Sequence, residues 1–250
     1  MKVDQQILQV LSVAHTQGKA LTLNGQLDRK LYERTNKVLD AAGGTWNRKA
    51  KAHLFEDDAV DVVEQILLTG AVTRAQDFGY FPTPESIVAR LIELAKIEPG
   101  MVVLEPSAGQ GAIAREVAAI TKVDCVELLP QHAELLRAGG FARQIWQDDF
   151  LQLKPSPTYD RIVMNPPFKH QADIRHVLHA LEFLKTGGLL VSVMSAAVTF
   201  RANKLTEDFR ALIGQRGGFI EECPDGAFKE AGTMVRTVIV VIPGLDCRYQ

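Results

Sequence analysis

The residues most suggestive of chemistry stand where an apolar run, Arg161 to Met164, breaks into Asn165-Pro166-Pro167-Phe168. Two consecutive prolines fix φ and remove two backbone donors, so the Asn165 side chain and the neighbouring carbonyls project in a set geometry. That geometry suits a reaction on a planar amine. An amine conjugated into an aromatic ring is a weak nucleophile. Accepting its hydrogens on the Asn165 side-chain oxygen and the Pro166 carbonyl oxygen concentrates electron density on the nitrogen, and neither acceptor has to be a strong base. Phe168 can stack on the face of the target ring, an interaction worth about 1–3 kcal/mol for a nucleobase. A base inside a duplex would first have to be flipped out. On its own, Pro-Pro after a strand also reads as an ordinary rigid turn.

A second constellation lies upstream in MVVLEPSAGQGAIAREVA, residues 101–118, which sets an apolar strand, an acidic residue and a glycine-rich turn directly ahead of a helix. Glu105 at the strand end can accept a hydrogen bond from a ligand amine, and Gly109 and Gly111 lack side chains that would keep the backbone away from a ligand. A P-loop would need a Lys-Ser/Thr pair after the glycines, whereas this loop continues Ala112-Ile113-Ala114, which disfavours a phosphate cradle. The GQGAIA segment does match the dinucleotide fingerprint, with Glu127 at a ribose-binding distance along the chain, so the loop alone leaves a nicotinamide cofactor open. Glu127 and Asp149, taken singly, also fit surface carboxylates or helix caps.

In their joint order, these residues resemble the class I methyltransferase family. The resemblance implies S-adenosyl-L-methionine as cofactor, held around Glu105, Pro106, Ser107, Ala108, Gly109 and Gly111, with Glu127 on both ribose hydroxyls and Leu128 beside it. Asp149 would read the cofactor's adenine amine, Phe150 would cover its ring, and Asn165 would face both cofactor and substrate. Upstream, Phe81-Pro82-Thr83-Pro84 resembles the cofactor motif of adenine methyltransferases in which that motif comes first. Thr83 is expected to cap a helix starting at Pro84 and to turn its hydroxyl toward the methionine carboxylate. Asn165, Pro166, Pro167 and Phe168 resemble the catalytic motif of amino-methyltransferases, which act on adenine N6 in DNA, on ribosomal RNA bases, or on a glutamine of release factors. Residues 231–242 resemble the turn into the last strand of type I restriction modification subunits, or equally an ordinary hairpin. The resemblance runs from about Phe78 to Pro243 and favours adenine in DNA.

The elements that must position these residues follow from periodicity. Strands are expected at 102–105, 122–127, 143–146, 161–165, 189–194, 218–222 and 236–242, and helices at 84–95, 113–119, 130–138, 171–184 and 204–213. Such alternation predicts an α/β fold, a doubly wound, seven-stranded, mostly parallel Rossmann-like sheet with its crevice at the carboxyl ends of the strands. It occupies 77–250. A small, mainly helical N-terminal segment, 1–76, precedes it, with helical periodicity at 5–13, 27–39 and 60–68.

The whole chain has 250 residues and a net charge of -2, which exerts no global pull on polyanions. From Arg29 to His53, however, seven cations face two carboxylates, a local +5. That stretch reads either as a solvated charged surface or as a nucleic-acid-contacting module in which Trp46 anchors a turn and Arg48, Lys49 and Lys51 meet phosphates; Lys169, after the catalytic tetrapeptide, is a further candidate. Only GLDCRYQ follows the last expected strand. Target recognition is therefore expected to be loose, supplied by a partner protein, or carried by the N-terminal segment. RNA remains an alternative to DNA, and a nucleic-acid-binding or antirestriction protein that retains the cofactor fold without turnover is a reading from another class. The cysteines Cys125, Cys223 and Cys247 form no close pair, which suits free thiols in a reducing, cytoplasmic compartment. No metal is expected, no run approaches the roughly 18 apolar residues of a membrane span, and His170, His176 and His179 are expected to face solvent or phosphate.

Overall fold

The computed structural model describes residues 1–72 and 81–245. The chain divides into two compact units, Met1–Asp77 with Ala196–Asp208, and Phe78–Ser195 with Phe209–Gln250. The expected boundary between 76 and 77 lies outside the described residues, as do Phe78 and Cys247.

In the first unit, α1 (Gln5–Ser12), α2 (Arg29–Ala41) and α3 (Ala59–Thr69) alternate with two hairpins, β1 (His15–Gln17) with β2 (Ala20–Thr22), and β3 (Thr45–Asn47) with β4 (Ala52–Leu54). Each helix opens on an aspartate whose carboxylate accepts from a backbone N–H of the first turn: Asp4 from Ile7, Asp28 from Leu31 and Asp58 from Val60. The hairpins join into an antiparallel sheet of order β1-β2-β4-β3. Leu8, Leu11, Leu21, Leu39 and Ile66 make the core, and Ala197 and Phe200 from the second stretch of the unit complete it. There Arg201 forms a buried ion pair with Glu64 at 2.7 Å. The helices lie where periodicity places them. The sheet is new, because strands of three residues are too short for alternation to register, and Trp46 sits inside β3 rather than anchoring a turn.

The second unit contains α4 (Glu85–Ala95), β5 (Val102–Pro106), α5 (Ala112–Ala118), β6 (Lys122–Val126), α6 (Pro130–Gly139), β7 (Gln144–Trp146), β8 (Tyr159–Met164), α7 (Ala172–Ala180), β9 (Leu184–Ser195), β10 (Phe219–Glu222) and β11 (Thr237–Pro243). The chain leaves it at the end of β9 and re-enters it within α8 (Lys204–Gln215). Strand order is β10-β11-β9-β8-β5-β6-β7. The five strands from β9 to β7 in that order run parallel, and β11 runs antiparallel to both its neighbours. β5 is flanked by β6 on one side and β8 on the other, so successive connections leave it in opposite directions and open a crevice at the carboxyl ends. The expected helix 171–184 stops early. Leu181–Phe183 tighten into a 3-10 turn, and Leu184 begins β9 opposite Tyr159.

A polar network braces the β6 side of this sheet. Asp124 on β6 is fully buried, accepts from Arg143 through both oxygens, and also accepts from the Tyr159 hydroxyl at 3.0 Å. Burial and the adjacent Asp124 charge push the Tyr159 hydroxyl well above its ordinary range, so it stays a donor.

Candidate active site

The crevice holds a cavity of about 350 Å³. Of the residues singled out from the sequence, Phe81, Ser107, Glu127, Leu128, Asp149, Phe150, Asn165, Pro166, Pro167 and Phe168 line it. Val126, Leu129, His132, Asp148 and His176 line it without having been expected. Pro82, Thr83, Glu105, Pro106, Ala108, Gly109 and Gly111 are not among the lining residues. Lys169 is exposed just beyond Phe168, and Arg48, Lys49 and Lys51 belong to the first unit.

The loop after β5 reverses through positive φ at Ser107 (64°), Gly109 (55°) and Gly111 (82°). The Ala108 amide donates to the Val126 carbonyl at 2.9 Å and the Gly109 amide to Glu127 Oε2 at 2.6 Å, which fastens the loop onto the end of β6. At Gly111 the positive φ favours glycine, and a side chain would also crowd its neighbours. A Cβ there would lie 2.6 Å from the Phe141 ring and 2.7 Å from Leu136. Ser107 is the one non-glycine residue of the loop held in the left-handed region, and it lines the cavity.

Glu127 is a structural acceptor as well as a wall residue. Besides Gly109, it accepts from the Leu129 amide through Oε1 at 2.8 Å. Each carboxylate oxygen has two lone pairs, so capacity remains for a ligand hydroxyl. Asp149 Oδ1 accepts from the Leu151 amide at 3.0 Å and caps the short turn Phe150–Gln152, so the cap reading holds for this residue, which also lines the cavity. Glu105 is only 2% exposed, and burial holds its carboxyl well above the usual carboxylate range, a shift that a backbone hydrogen bond from Ala114 opposes and the Glu127 charge reinforces. Its Oε2 is buried with no hydrogen-bond partner among the described residues.

β8 delivers Asn165 to the cavity, and a contact across the unit sets its side chain. Asn165 Nδ2 donates to Thr83 Oγ1 at 3.0 Å. With the amide nitrogen committed, Oδ1 is left as the acceptor of a side chain that lines the cavity. Thr83 does not cap the following helix, as had been expected: α4 starts at Glu85, and Pro84 occupies the cap position without a side-chain bond. Pairing between residues 83 and 165 carries no local sequence signal.

Of the three histidines, His170 is exposed as expected, whereas His176 and His179 depart from expectation. His176 is buried and stacks on Phe150, with ring centroids 5.9 Å apart and planes 11° apart, while His179 meets Phe150 edge-on at 4.9 Å. Burial pushes His176 down to about 4, so it is neutral near pH 7. Its Nδ1 lies 3.3 Å from the Ala172 carbonyl, which fixes that nitrogen as the donor and leaves Nε2 an acceptor. The α7 periodicity, with His176 three residues from Asp173 and His179, is the signal that could have turned this face inward.

An open αβα sheet with one reversed strand, a glycine turn after its central strand and acidic residues at successive strand ends defines a class I methyltransferase fold. Residues 91–219 match the methyltransferase small domain family, and the chain belongs to that family. It is 32% identical over 145 residues to a Protein-L-isoaspartate O-methyltransferase of Thermococcus sibiricus, a match that covers 53% of this chain and 63% of that protein's length. Among solved structures, it is similar to a Listeria monocytogenes protein assigned as a class I S-adenosylmethionine-dependent methyltransferase (TM-score 0.55, 17% identity, 76% of this chain and 69% of the other). It is also similar to a modification subunit assigned to a type I restriction enzyme of Vibrio vulnificus (TM-score 0.55, 16% identity, 69% of this chain and 46% of the other). Family and fold make S-adenosylmethionine the cofactor. The residues fit it: a cavity of suitable size, two carboxylates with remaining acceptor capacity, an aromatic wall at Phe150, and the unsatisfied Glu105 oxygen beneath the loop. Among the described residues, no helix is long and apolar enough to cross a membrane.

Proposed function

We propose that the protein transfers a methyl group from S-adenosylmethionine to the exocyclic N6 amine of adenine in DNA. The observation that carries this reading is the commitment of Asn165 Nδ2 to Thr83, which leaves an acceptor oxygen beside the Pro166 carbonyl in the wall of the cofactor-sized cavity. When bound, the cofactor supplies a methyl carbon made electrophilic by its sulfonium. In this reading, Glu127 holds the ribose hydroxyls, Asp149 accepts from the cofactor's adenine amine, and Phe150, braced by His176 and His179, covers that ring. Asn165 Oδ1 and the Pro166 carbonyl accept the two hydrogens of the target amine, raising electron density on nitrogen and aiming its lone pair at the methyl carbon. Transfer to nitrogen would leave the S–C electron pair on the cofactor's sulfur, and the surplus proton of the amine would pass to water. Phe168 supports the face of the target ring, and positioning contributes most of the rate.

The chemistry of these acceptors favours an amine over the carboxylate implied by the name of the isoaspartate relative. A carboxylate brings no N–H, so its lone pairs would oppose those of Asn165 Oδ1 and the Pro166 carbonyl. Adenine in DNA is favoured within the amines by the upstream Phe81-Pro82-Thr83-Pro84 segment and by Arg48, Lys49 and Lys51, which form no ion pair among the described residues. A partner protein that helps choose the site is part of the proposal, and the thiols Cys125 and Cys223 fit a reducing cytoplasm.

Incubating the full chain with methyl-labelled cofactor and plasmid DNA, then analysing nucleosides by mass spectrometry, tests the assignment. Labelled N6-methyladenine that disappears with Asn165→Ala supports it. Label confined to ribosomal RNA or to protein glutamine overturns the DNA assignment, and cofactor binding without any transfer overturns the enzymatic one.

A further inference from the structure

The seven cations between Arg29 and His53 are not equivalent in the fold. Arg29 pairs with Glu33 and Arg34 with Asp4. Arg48, Lys49 and Lys51 are exposed and take part in no ion pair among the described residues. All three lie in the turn that joins β3 to β4, at the sheet edge formed by β3.

This turn is built to a shape. Asn47 Oδ1 accepts from the Lys49 and Ala50 amides, both at 3.0 Å, and Lys51 adopts φ 50° to re-enter β4. One residue before the turn, Trp46 pairs with His53 across the hairpin, and its ring meets the His53 ring edge-on at 5.1 Å and 60°. His53 is buried, and burial lowers its pKa, an effect that the Asp40 charge opposes, so near neutral pH it supports the indole without adding charge. Trp46 itself remains 47% exposed. A half-exposed aromatic ring next to three cations that form no ion pair among the described residues, on an edge hairpin, combines the two features that bind a nucleic-acid strand: a stacking platform and phosphate partners. The acidic residues of the hairpin, Glu56, Asp57 and Asp58, follow β4 at the end away from the turn.

From this juxtaposition we infer that the β3–β4 hairpin is a binding site for single-stranded DNA, with Trp46 stacked on an unpaired base and Arg48, Lys49 and Lys51 on flanking phosphates. Duplex DNA fits less well, because its base faces are covered by their neighbours and an exposed indole has nothing to stack on. The inference rests on the reading of nucleic acid as the substrate. It assigns the first unit a role in holding the strand, separate from the chemistry.

The test measures fluorescence anisotropy of the full chain with a thymine-only oligonucleotide, which offers no adenine to the cavity, and with a duplex of equal length. Tighter binding of the single strand is expected. Trp46→Ala should weaken it roughly tenfold and Trp46→Phe much less, since stacking survives in phenylalanine. Changing Arg48, Lys49 and Lys51 together to Gln should flatten the dependence of log affinity on log salt by about 2, at roughly 0.7 per phosphate contact on a single strand. Unchanged affinity in both variants overturns the inference, as does duplex binding equal to single-strand binding. These outcomes are separable from failure of the methylation reading. Hairpin-dependent thymine binding without adenine methylation removes only the proposed reaction, and adenine methylation with hairpin variants that bind normally removes only this site.

Discussion

The cavity at the strand ends and the β3–β4 hairpin are both polar, but they use polarity in opposite ways. In the cavity, nearly every polar group is already committed: Glu127 to Gly109 and Leu129, Asp149 to Leu151, and Asn165 to Thr83. On the hairpin, three cations stand in solvent with no charged partner among the described residues. Chemistry on a weak nucleophile needs acceptors that do not reorganise, and internal hydrogen bonds hold them still. A polymer backbone is gripped by charges that give up only water and counterions, and these work best when exposed.

Removing a fixed acceptor should therefore have the largest effect. Asn165→Ala is expected to lower methyl transfer by about 10³-fold, at the upper end for loss of one preorganised polar group, with cofactor affinity within a few-fold of the original. Label transfer and calorimetric titration of the cofactor measure the two, and equal losses in both would show Asn165 to be a binding residue only. Glu127→Ala comes next. It frees two backbone amides whose charge-assisted bonds contribute about 1.5 kcal/mol or more each, so cofactor affinity should fall about 100-fold and the melting temperature should drop. Unchanged affinity would mean that the glycine loop keeps its shape without the carboxylate.

Protonation gives an effect of similar kind. His176 binds its proton in the unfolded chain near pH 6.5 and in the folded one only near 4, so the unfolded state holds more protons between those values. Stability should be flat above pH 6.5 and fall by roughly 3 kcal/mol as pH drops toward 4. Chemical denaturation across that range reads the effect, and replacing the imidazole in His176→Phe should remove much of the slope. A slope that survives the replacement assigns the loss to other groups. The smallest effect belongs to Thr83, whose hydroxyl oxygen accepts from the amide nitrogen of Asn165. Thr83→Val should lower kcat about tenfold, the equivalent of one hydrogen bond, while KM for the cofactor moves little and Thr83→Ser restores the rate. A change confined to KM for the cofactor would place the hydroxyl on the methionine carboxylate instead.

Much of this was legible in the chain. Alternation of apolar runs with amphipathic stretches located all seven strands of the larger sheet and its five helices. Glu127, Asp149 and Asn165 stand out in the sequence because each follows a strand end at a tight turn, which is a local event. The failures have two causes. The four strands of the first unit are three residues each, too short for any period to appear. His176 and His179 read as surface residues because polarity alone does not reveal that Phe150 lies against them.

By itself, then, the sequence determined the elements, their order, the glycine turn and the Asn-Pro-Pro-Phe corner, since each depends on dihedral preferences and periodicities within a few residues. Only the tertiary structure decided the partnerships: Thr83 with Asn165, Glu127 with Gly109, Ala197 and Phe200 with the core of the first unit, and which cations were neutralised and which left exposed. Those depend on distances between residues far apart in the chain, and such distances exist only once the apolar faces have been buried against one another.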